Sequence, residues 1–156
     1  MSQELFAYGT LRFAPVLRAL AGRSFAARDA ELEGFAVQRL RGRAYPGLVP
    51  APGSVARGVL YLGLDAATLA LLDRFEGPWY ERRRVRVRSD GAEPWAFTYL
   101  LRPARHRELA GAAWDAERFA ARHLATWIAA CRAFRLGAVR DAAALRHAEP
   151  PGKESP

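Results

Sequence analysis

Two stretches that lie far apart along the chain carry residue types from which a small-molecule site could be built. Residues 5–11, LFAYGTL, form an apolar run that breaks at Gly9. A turn of this kind leaves backbone N–H groups that can point together at an anion or a carbonyl oxygen. A glycine there takes positive φ or lets a ligand approach the backbone. Residues 72–77, LDRFEG, place the carboxylate of Glu76 at the end of a predicted helix. The two stretches indicate a pocket with backbone donors from one loop and a carboxylate from another.

Glu76 is the candidate for acid–base chemistry. The helix dipole disfavours a negative charge at the C-terminal end of a helix, and residues 77–80, GPWY, offer a partly apolar aromatic wall. Both effects would raise the pKa of the Glu76 carboxylate, which is the direction needed in a general base. Spacing alone favours an exposed glutamate at a helix end, because perturbed groups mark functional sites only statistically.

Other catalytic patterns are missing from the sequence. His106, His123 and His147 match no metal-binding spacing, and a lone cysteine, Cys131, cannot build a zinc site. Cys131 falls on the apolar stripe of a predicted helix, where cysteine is usually buried and inert. No serine lies in a G-x-S-x-G turn, and the sequence has no Walker loop or dinucleotide fingerprint. The motifs therefore give no support to metal, nucleophilic-serine or nucleotide chemistry.

The net charge of +8 comes almost entirely from arginine. In the densest cluster, Arg84, Arg86 and Arg88 alternate with valines. This is the period-two pattern of a strand with one solvent-exposed face. A nucleic-acid site would instead cluster basic residues on one element among aromatic side chains. We therefore expect no nucleic-acid partner, and a basic interaction domain stays a third hypothesis.

The length of 156 residues fits one domain. No window has the roughly 18 apolar residues that a membrane span needs, and the N-terminus does not resemble a signal peptide. A single cysteine fits a reducing compartment. We expect one domain over residues 1–148, a disordered tail over residues 149–156, no membrane partner and a cytoplasmic location. The oligomeric state cannot be read from the sequence.

The hydrophobic pattern predicts a strand-rich α+β domain with three helices. Predicted strands cover residues 4–8, 27–33, 35–40, 55–64, 80–89 and 95–101, and predicted helices cover residues 15–21, 66–76 and 116–135. Residues 45–53 should be irregular, because Pro46, Pro50 and Pro52 cannot sit in a central strand. The last two strands should form a hairpin through residues 89–91. Helices do not alternate regularly with strands, which favours a curved or closed sheet with helices on its outside.

The order of these motifs resembles the γ-glutamylcyclotransferase-like superfamily. The segments that carry the resemblance are residues 6–11, FAYGTL, 45–50, YPGLVP, 59–61, VLY, and 72–77, LDRFEG, followed by Tyr80 on a basic strand. Residues 114–119 and 131–134 are similar to the plant avirulence-induced-gene branch and its bacterial relatives. The resemblance covers roughly residues 4–135.

The resemblance implies a small mixed β-barrel flanked by helices, with a cavity at one end. It also implies a reaction in which the α-amine of a γ-glutamyl amide attacks the γ-carbonyl, so that 5-oxoproline forms and an amine is released. The family uses no metal or organic cofactor. By match to its motifs, Glu76 would be the general base. The implied substrate-binding residues are Tyr8, Gly9, Thr10, Leu11, Tyr45, Tyr80 and Tyr99.

Each of these residues also has a structural interpretation. The turn at residues 8–11 would hold the glutamyl part through backbone N–H groups, but Tyr8 could simply pack at the end of a strand. Tyr45 either contacts the substrate or stiffens its loop, and Tyr80 and Tyr99 could be core tyrosines with satisfied hydroxyls. The alternative function is that of a non-catalytic relative that binds a small acidic metabolite in the same pocket.

Overall fold

The strands form one mixed sheet that curls into a half-barrel. The computed structural model describes residues 3–137. Its strands are β1 (Gln3–Ala7), β2 (Ala27–Leu40), β3 (Pro46–Leu64), β4 (Tyr80–Arg86), β5 (Trp95–Leu101) and β6 (Leu109–Ala113). Their order in the sheet is β4-β5-β1-β3-β2-β6. β1 and β5 run parallel, and the other neighbours are antiparallel. The predicted α+β class with a mixed, barrel-like sheet flanked by helices is confirmed.

Within the described part of the chain, four α-helices pack around the sheet. They are α1 (Ala14–Ala21), α2 (Ala66–Glu76), α3 (Ala116–Arg122) and α4 (Leu124–Arg135), with 3-10 turns at Thr10–Arg12 and Pro103–Glu108. α2 begins where the Asp65 carboxylate accepts the N–H of Thr68 at 2.8 Å, which is the expected N-cap. Among residues 3–137, no helix has both the length and the apolar character needed to cross a bilayer. The predicted tail and His147 lie outside the described residues.

The single long helix predicted for residues 116–135 was wrong. The backbone leaves the helical range at His123, with φ −125° and ψ −16°, so α3 ends before this residue and α4 begins after it. The rings of Phe119 and Trp127 lie 5.6 Å apart. In a straight helix these two positions would be about 12 Å apart along the axis, given a rise of about 1.5 Å per residue. The break is therefore what brings Trp127 back onto Phe119.

The prediction that residues 45–53 are irregular was also wrong, because β3 begins at Pro46. β3 pairs with β2 along both halves, but with β1 only from Val59 to Leu64. The proline-rich half therefore has a strand on one side only, where a missing N–H costs no ladder bond. Pro52 lies where the register slips between Glu33↔Val55 and Phe35↔Pro50. A strand therefore tolerates proline where the missing N–H would face its unpaired side.

Two smaller differences concern β2 and β6. β2 is one strand, and Gly34, with φ +81°, forms a bulge within it where two strands had been predicted. A glycine with positive φ commonly marks such a bulge. β6 was missed because its sequence, LAGAA, has no alternation of apolar and polar residues. Its strand conformation comes from pairing with β2, which cannot be read from the five residues themselves.

The hairpin of β4 and β5 is confirmed. Asp90 and Gly91 both have positive φ, at 50° and 75°, as the two central residues of a type I′ turn require. Arg84, Arg86 and Arg88 are exposed, whereas Val87 is buried. The predicted solvent-exposed face is therefore also confirmed. Arg88 contacts the carboxylates of Glu31 and Glu33.

The core lies on both faces of β1. Leu5 and Ala7 join the buried side chains of α1, α2 and α4. Phe6 and Tyr8 point to the other face and join side chains of β2 and β3. This alternation is the period of two expected of a strand. Because β1 is covered on both faces, its C-terminal end is held rigidly where it leads into the following turn.

Candidate functional site

One pocket brings together all eight residues that the sequence singled out. It opens to solvent, and its empty volume of about 380 Å³ includes part of that open space. The eight predicted residues that line it are Tyr8, Gly9, Thr10, Leu11, Tyr45, Glu76, Tyr80 and Tyr99. Pro46 and Trp127 complete the wall. Residues from β1, α2, β4, β5 and α4 therefore converge on one place, and the chemical role of each residue stays a prediction.

The turn after β1 lines this pocket and contains backbone N–H groups that have no acceptor within the turn. Thr10 and Leu11 begin the 3-10 turn, and Gly9 before them supplies no side-chain cap. The first N–H groups of a helical turn have no acceptor within the turn itself. Both residues are buried and line the pocket. Such a pair of donors suits a carboxylate or a developing oxyanion.

Hydroxyl groups from two other strands hold this turn in place. The Thr98 Oγ1 donates to the Phe6 carbonyl at 2.9 Å. The Tyr61 hydroxyl lies 2.8 Å from the Leu11 carbonyl oxygen and 3.0 Å from that of Arg12. Burial raises the pKa of Tyr61 to about 12, so its hydroxyl keeps the proton that it donates. The turn is therefore fixed before any ligand arrives.

The structure gives Gly9 a different reason to be glycine from the one expected. Its φ is −106°, so the turn does not need positive φ at this position. A β-carbon on Gly9 would instead lie 2.9 Å from the Cγ of Pro46, a distance that real side chains essentially never show. Pro46 is held in turn by the Tyr80 hydroxyl, which donates to its carbonyl at 2.6 Å. The identity of Gly9 therefore follows from the wall of the pocket.

The pocket tyrosines also connect the elements around them. The Tyr8 hydroxyl donates to the Tyr99 carbonyl at 2.5 Å, which ties the end of β1 to β5. Tyr45 packs against Trp127, with ring centroids 5.9 Å apart. The sequence analysis treated the core and the pocket as alternatives for these tyrosines. They are both buried and part of the pocket wall.

Glu76 is the last residue of α2 and is half-buried. Gly77 follows with φ +74°, and its N–H donates to the Asp73 carbonyl at 3.1 Å, which ends the helix. The predicted position of Glu76 at a C-terminal helix end is confirmed. The Tyr99 pKa is raised first by burial, then by its hydrogen bond to Asp73, and further by the charge of Glu76. Tyr99 and Glu76 are therefore electrostatic neighbours in the pocket.

Asp73 and Arg82 are residues that sequence reasoning missed. The Tyr99 hydroxyl donates to the Asp73 Oδ1 at 2.7 Å, and the Arg82 Nε lies 2.9 Å from the same oxygen. Arg82 and Tyr99 are directly opposite each other in the β4–β5 ladder. Asp73 precedes Glu76 by three positions, which places both carboxylates on one face of α2. That spacing was visible in the sequence, but the cross-strand pair was not.

Trp127 is a third residue that was missed. It lies on α4 and lines the pocket. Its indole Nε1 is buried and has no hydrogen-bond acceptor among residues 3–137. The sequence placed Trp127 only on an apolar stripe, and such a stripe does not distinguish a pocket wall from the core.

The family of the chain follows from its sequence as well as from this geometry. Residues 5–116 match the family model described as "Gamma-glutamyl cyclotransferase, AIG2-like". The chain belongs to this family. The matched region contains all eight predicted site residues, and it also contains Asp73 and Arg82. Trp127 lies beyond it.

Curated relatives and a solved structure agree with this family. AIG2-like protein A of Arabidopsis thaliana is 35% identical over 99 residues, which cover 62% of this chain and 60% of the relative. That match thus spans less than two thirds of the relative's length. AIG2-like protein B of the same plant is 30% identical over 128 residues, 81% of this chain and 74% of the relative. A solved structure named gamma-glutamyl cyclotransferase has a TM-score of 0.61 at 18% identity, covering 100% of this chain and 92% of that chain. At that identity, the likeness shows the fold alone.

Proposed function

We propose that this protein is a γ-glutamyl cyclotransferase, which releases 5-oxoproline and a free amine from a γ-glutamyl amide or peptide. The observation that carries the proposal is that Glu76 and the turn at residues 8–11 line one pocket. The first N–H groups of such a turn have no acceptor within it. Membership of the γ-glutamyl cyclotransferase, AIG2-like family supports it, as does a fold shared with a protein of that name.

The proposed reaction needs one proton carrier. Glu76 takes a proton from the α-ammonium of the substrate, and the resulting amine attacks the γ-carbonyl carbon to close a five-membered ring. As the bond from that carbon to the leaving nitrogen breaks, Glu76 gives its proton to the leaving nitrogen. It then takes the second proton from the ring nitrogen and passes it to the released amine. Two protons move, and the products are a lactam and an ammonium ion.

The turn would stabilise the charge that develops in this reaction. The attacked carbonyl becomes an oxyanion, and the N–H groups of Thr10 and Leu11 suit it or the α-carboxylate of the substrate. Intramolecular attack supplies roughly 7–11 kcal/mol of the barrier reduction in ideal cases. A well-placed general base adds about 10²- to 10⁴-fold. The proposed reaction therefore needs only a positioned substrate, one general base and a pair of hydrogen-bond donors.

The test is 5-oxoproline release from a panel of γ-glutamyl amides, amino acids and peptides. Glu76→Gln should lower the release by about 10²- to 10⁴-fold while the melting temperature stays unchanged, because only the base is lost. Glu117→Gln is the matched control, since Glu117 is exposed in the first turn of α3. A folded Glu76→Gln protein with wild-type turnover would rule out the base.

The alternative function has its own outcome in this experiment. The donors of the turn at residues 8–11 also suit a small acidic metabolite that is bound without turnover. No release by folded wild-type protein across the panel, with calorimetric binding of such a metabolite, would identify the non-catalytic binder. That binding should then be lost in Gly9→Ala.

A further inference from the structure

The hydrogen bond of Tyr99 determines what the hydroxyl can offer a ligand. A tyrosine hydroxyl has one proton and two lone pairs. The proton of Tyr99 is donated to Asp73 Oδ1 at 2.7 Å. The residue is 4% exposed, and burial, Asp73 and Glu76 raise its pKa far above the ordinary value. Tyr99 is therefore neutral, and its oxygen can only accept a hydrogen bond.

Arg82 fixes the acceptor to which Tyr99 donates. Its Nε lies 2.9 Å from Asp73 Oδ1, and its Nη2 lies 3.2 Å from Asp73 Oδ2. Such a two-point contact sets the plane of a carboxylate. The guanidinium also lies over the Phe97 ring, 4.4 Å from the centroid. Asp73 is therefore held on both oxygens, and Oδ1 always faces the Tyr99 hydroxyl.

The accepting side of Tyr99 lies at the same pocket as Glu76. Within residues 3–137, nothing donates a hydrogen bond to the Tyr99 hydroxyl oxygen. The charge of Glu76 acts on this hydroxyl, and both residues line the pocket. Two acceptors at one pocket disfavour a carboxylate or a carbonyl and suit a group that only donates. A primary ammonium is such a group.

We propose that Tyr99 accepts a hydrogen bond from the α-ammonium of the substrate beside Glu76, and that Asp73 is the positioning residue that keeps the Tyr99 hydroxyl an acceptor. This inference rests on the proposed function for the identity of the substrate. It divides the pocket into an accepting end at Tyr99 and Glu76 and a donating end at the turn of residues 8–11. A γ-glutamyl compound carries the complementary groups, an ammonium that only donates and a carboxylate and a γ-carbonyl that only accept.

The first experiment measures binding, so that it does not depend on turnover. The probes are L-glutamine and glutaramate, which has the same carboxylate and amide but no amine. Wild-type protein should bind L-glutamine more tightly by calorimetry. Tyr99→Phe and Asp73→Ala should each weaken L-glutamine binding on the order of 10-fold or more, the usual effect of losing a hydrogen bond to a charged group. Neither substitution should weaken glutaramate binding. Wild-type protein that binds both probes equally, or neither, overturns the proposal.

A double-mutant cycle and a conservative variant test whether Asp73 acts through Tyr99. Asp73→Asn keeps an oxygen for the Tyr99 proton, so it should restore most of the affinity for L-glutamine that Asp73→Ala loses. Both variants remove the charge that Arg82 binds, which controls for that loss. Asp73→Ala in a Tyr99→Phe background should cause no further loss, since coupled residues are not additive. Additive losses, or Asn behaving like Ala, contradict the positioning role.

Kinetics on an active γ-glutamyl substrate separate this inference from the proposed function. Tyr99→Phe and Asp73→Ala should raise KM more than they lower kcat, whereas Glu76→Gln should lower kcat. If no substrate releases 5-oxoproline but L-glutamine is still bound through its amine, the cyclotransferase function fails and the ammonium site stands. If 5-oxoproline is released but the cycle is additive, the cyclotransferase function stands and the positioning role of Asp73 fails.

Discussion

Gly9 and Pro46 lie so close together that a β-carbon on Gly9 would come within 2.9 Å of the Pro46 Cγ and 3.2 Å of its Cδ. One residue belongs to the turn after β1 and the other begins β3. The contact sets the distance between the donating turn and the wall opposite it. A change in either residue should therefore alter the shape of the pocket.

Gly9→Ala should destabilise the protein and impair ligand binding together. Overpacking of this kind costs about 1–3 kcal/mol, and the clash displaces the turn that carries the N–H donors. Urea unfolding would measure the first effect, and KM for the γ-glutamyl substrate would measure the second.

Removing the Pro46 ring supplies the control for this clash. Gly9→Ala combined with Pro46→Ala should recover most of the stability that Gly9→Ala loses, because Cγ and Cδ are gone. If the double variant is as unstable as the sum of the two single variants, the contact between these residues is not what requires glycine.

Tyr61→Phe should weaken the fold at neutral pH. It removes the hydroxyl that lies 2.8 Å and 3.0 Å from the Leu11 and Arg12 carbonyl oxygens in a side chain that is 2% exposed. An unsatisfied buried acceptor costs about 1–3 kcal/mol. Chemical denaturation would measure the loss, and KM should rise with it because the turn loses its support. A variant of unchanged stability and KM would show that these bonds do not hold the turn.

The same tyrosine predicts how stability depends on alkaline pH. Its pKa rises from 10.0 to about 12 on folding, so the unfolded chain loses the proton first. The Tyr61 contribution is complete below about pH 10 and falls as pH rises to about 12, by at most about 1.4 kcal/mol per pH unit for one group. Tyr99 acts in the same direction. Tyr61→Phe should therefore flatten, but not abolish, the decline in unfolding free energy between pH 10 and 12. A slope equal to that of the wild type in this range would contradict it.

Trp127→Phe should change the choice of substrate with little loss of stability. The indole Nε1 has no acceptor among residues 3–137, so Phe removes no such bond and keeps most of the packing on Tyr45. Relative kcat/KM values across the panel of γ-glutamyl compounds would measure the change. Phe134→Leu is the contrasting variant, since Phe134 is buried against Phe75 in the core. It should lower the melting temperature and leave the relative rates alone. The opposite pattern would assign Trp127 to the core.

The sequence was sufficient to predict those pocket residues that are marked by a pattern of a few neighbouring residues. The break at Gly9 and the helix end at Glu76 are each visible within a few residues, and both line the pocket. The Asp73–Tyr99 bond was not predictable, because it depends on β4 and β5 pairing in the register that sets Arg82 opposite Tyr99. Trp127 lines the pocket from α4, which begins after a helix break at His123 that no residue type marks.

β3 shows the same limit for the fold. Proline is excluded from central strands, but this rule can be applied only when it is known which stretch has a paired strand on each side. Only the half from Val59 onward lies between β1 and β2. That fact belongs to the order of the sheet, so Pro46 and Pro50 could be placed only once the topology was known.

The hydrogen bonds that hydroxyl groups make at the end of β1 affect the order in which the protein folds. The bonds from Thr98 to Phe6 and from Tyr8 to Tyr99 join residues 92 and 91 positions apart. Contacts of such separation form late and slow folding, because a long loop must close before they stabilise anything. A nascent chain that has not yet emerged through β5 therefore has the turn and Glu76 but no assembled pocket. Ligand binding thus reports that β5 has joined the sheet.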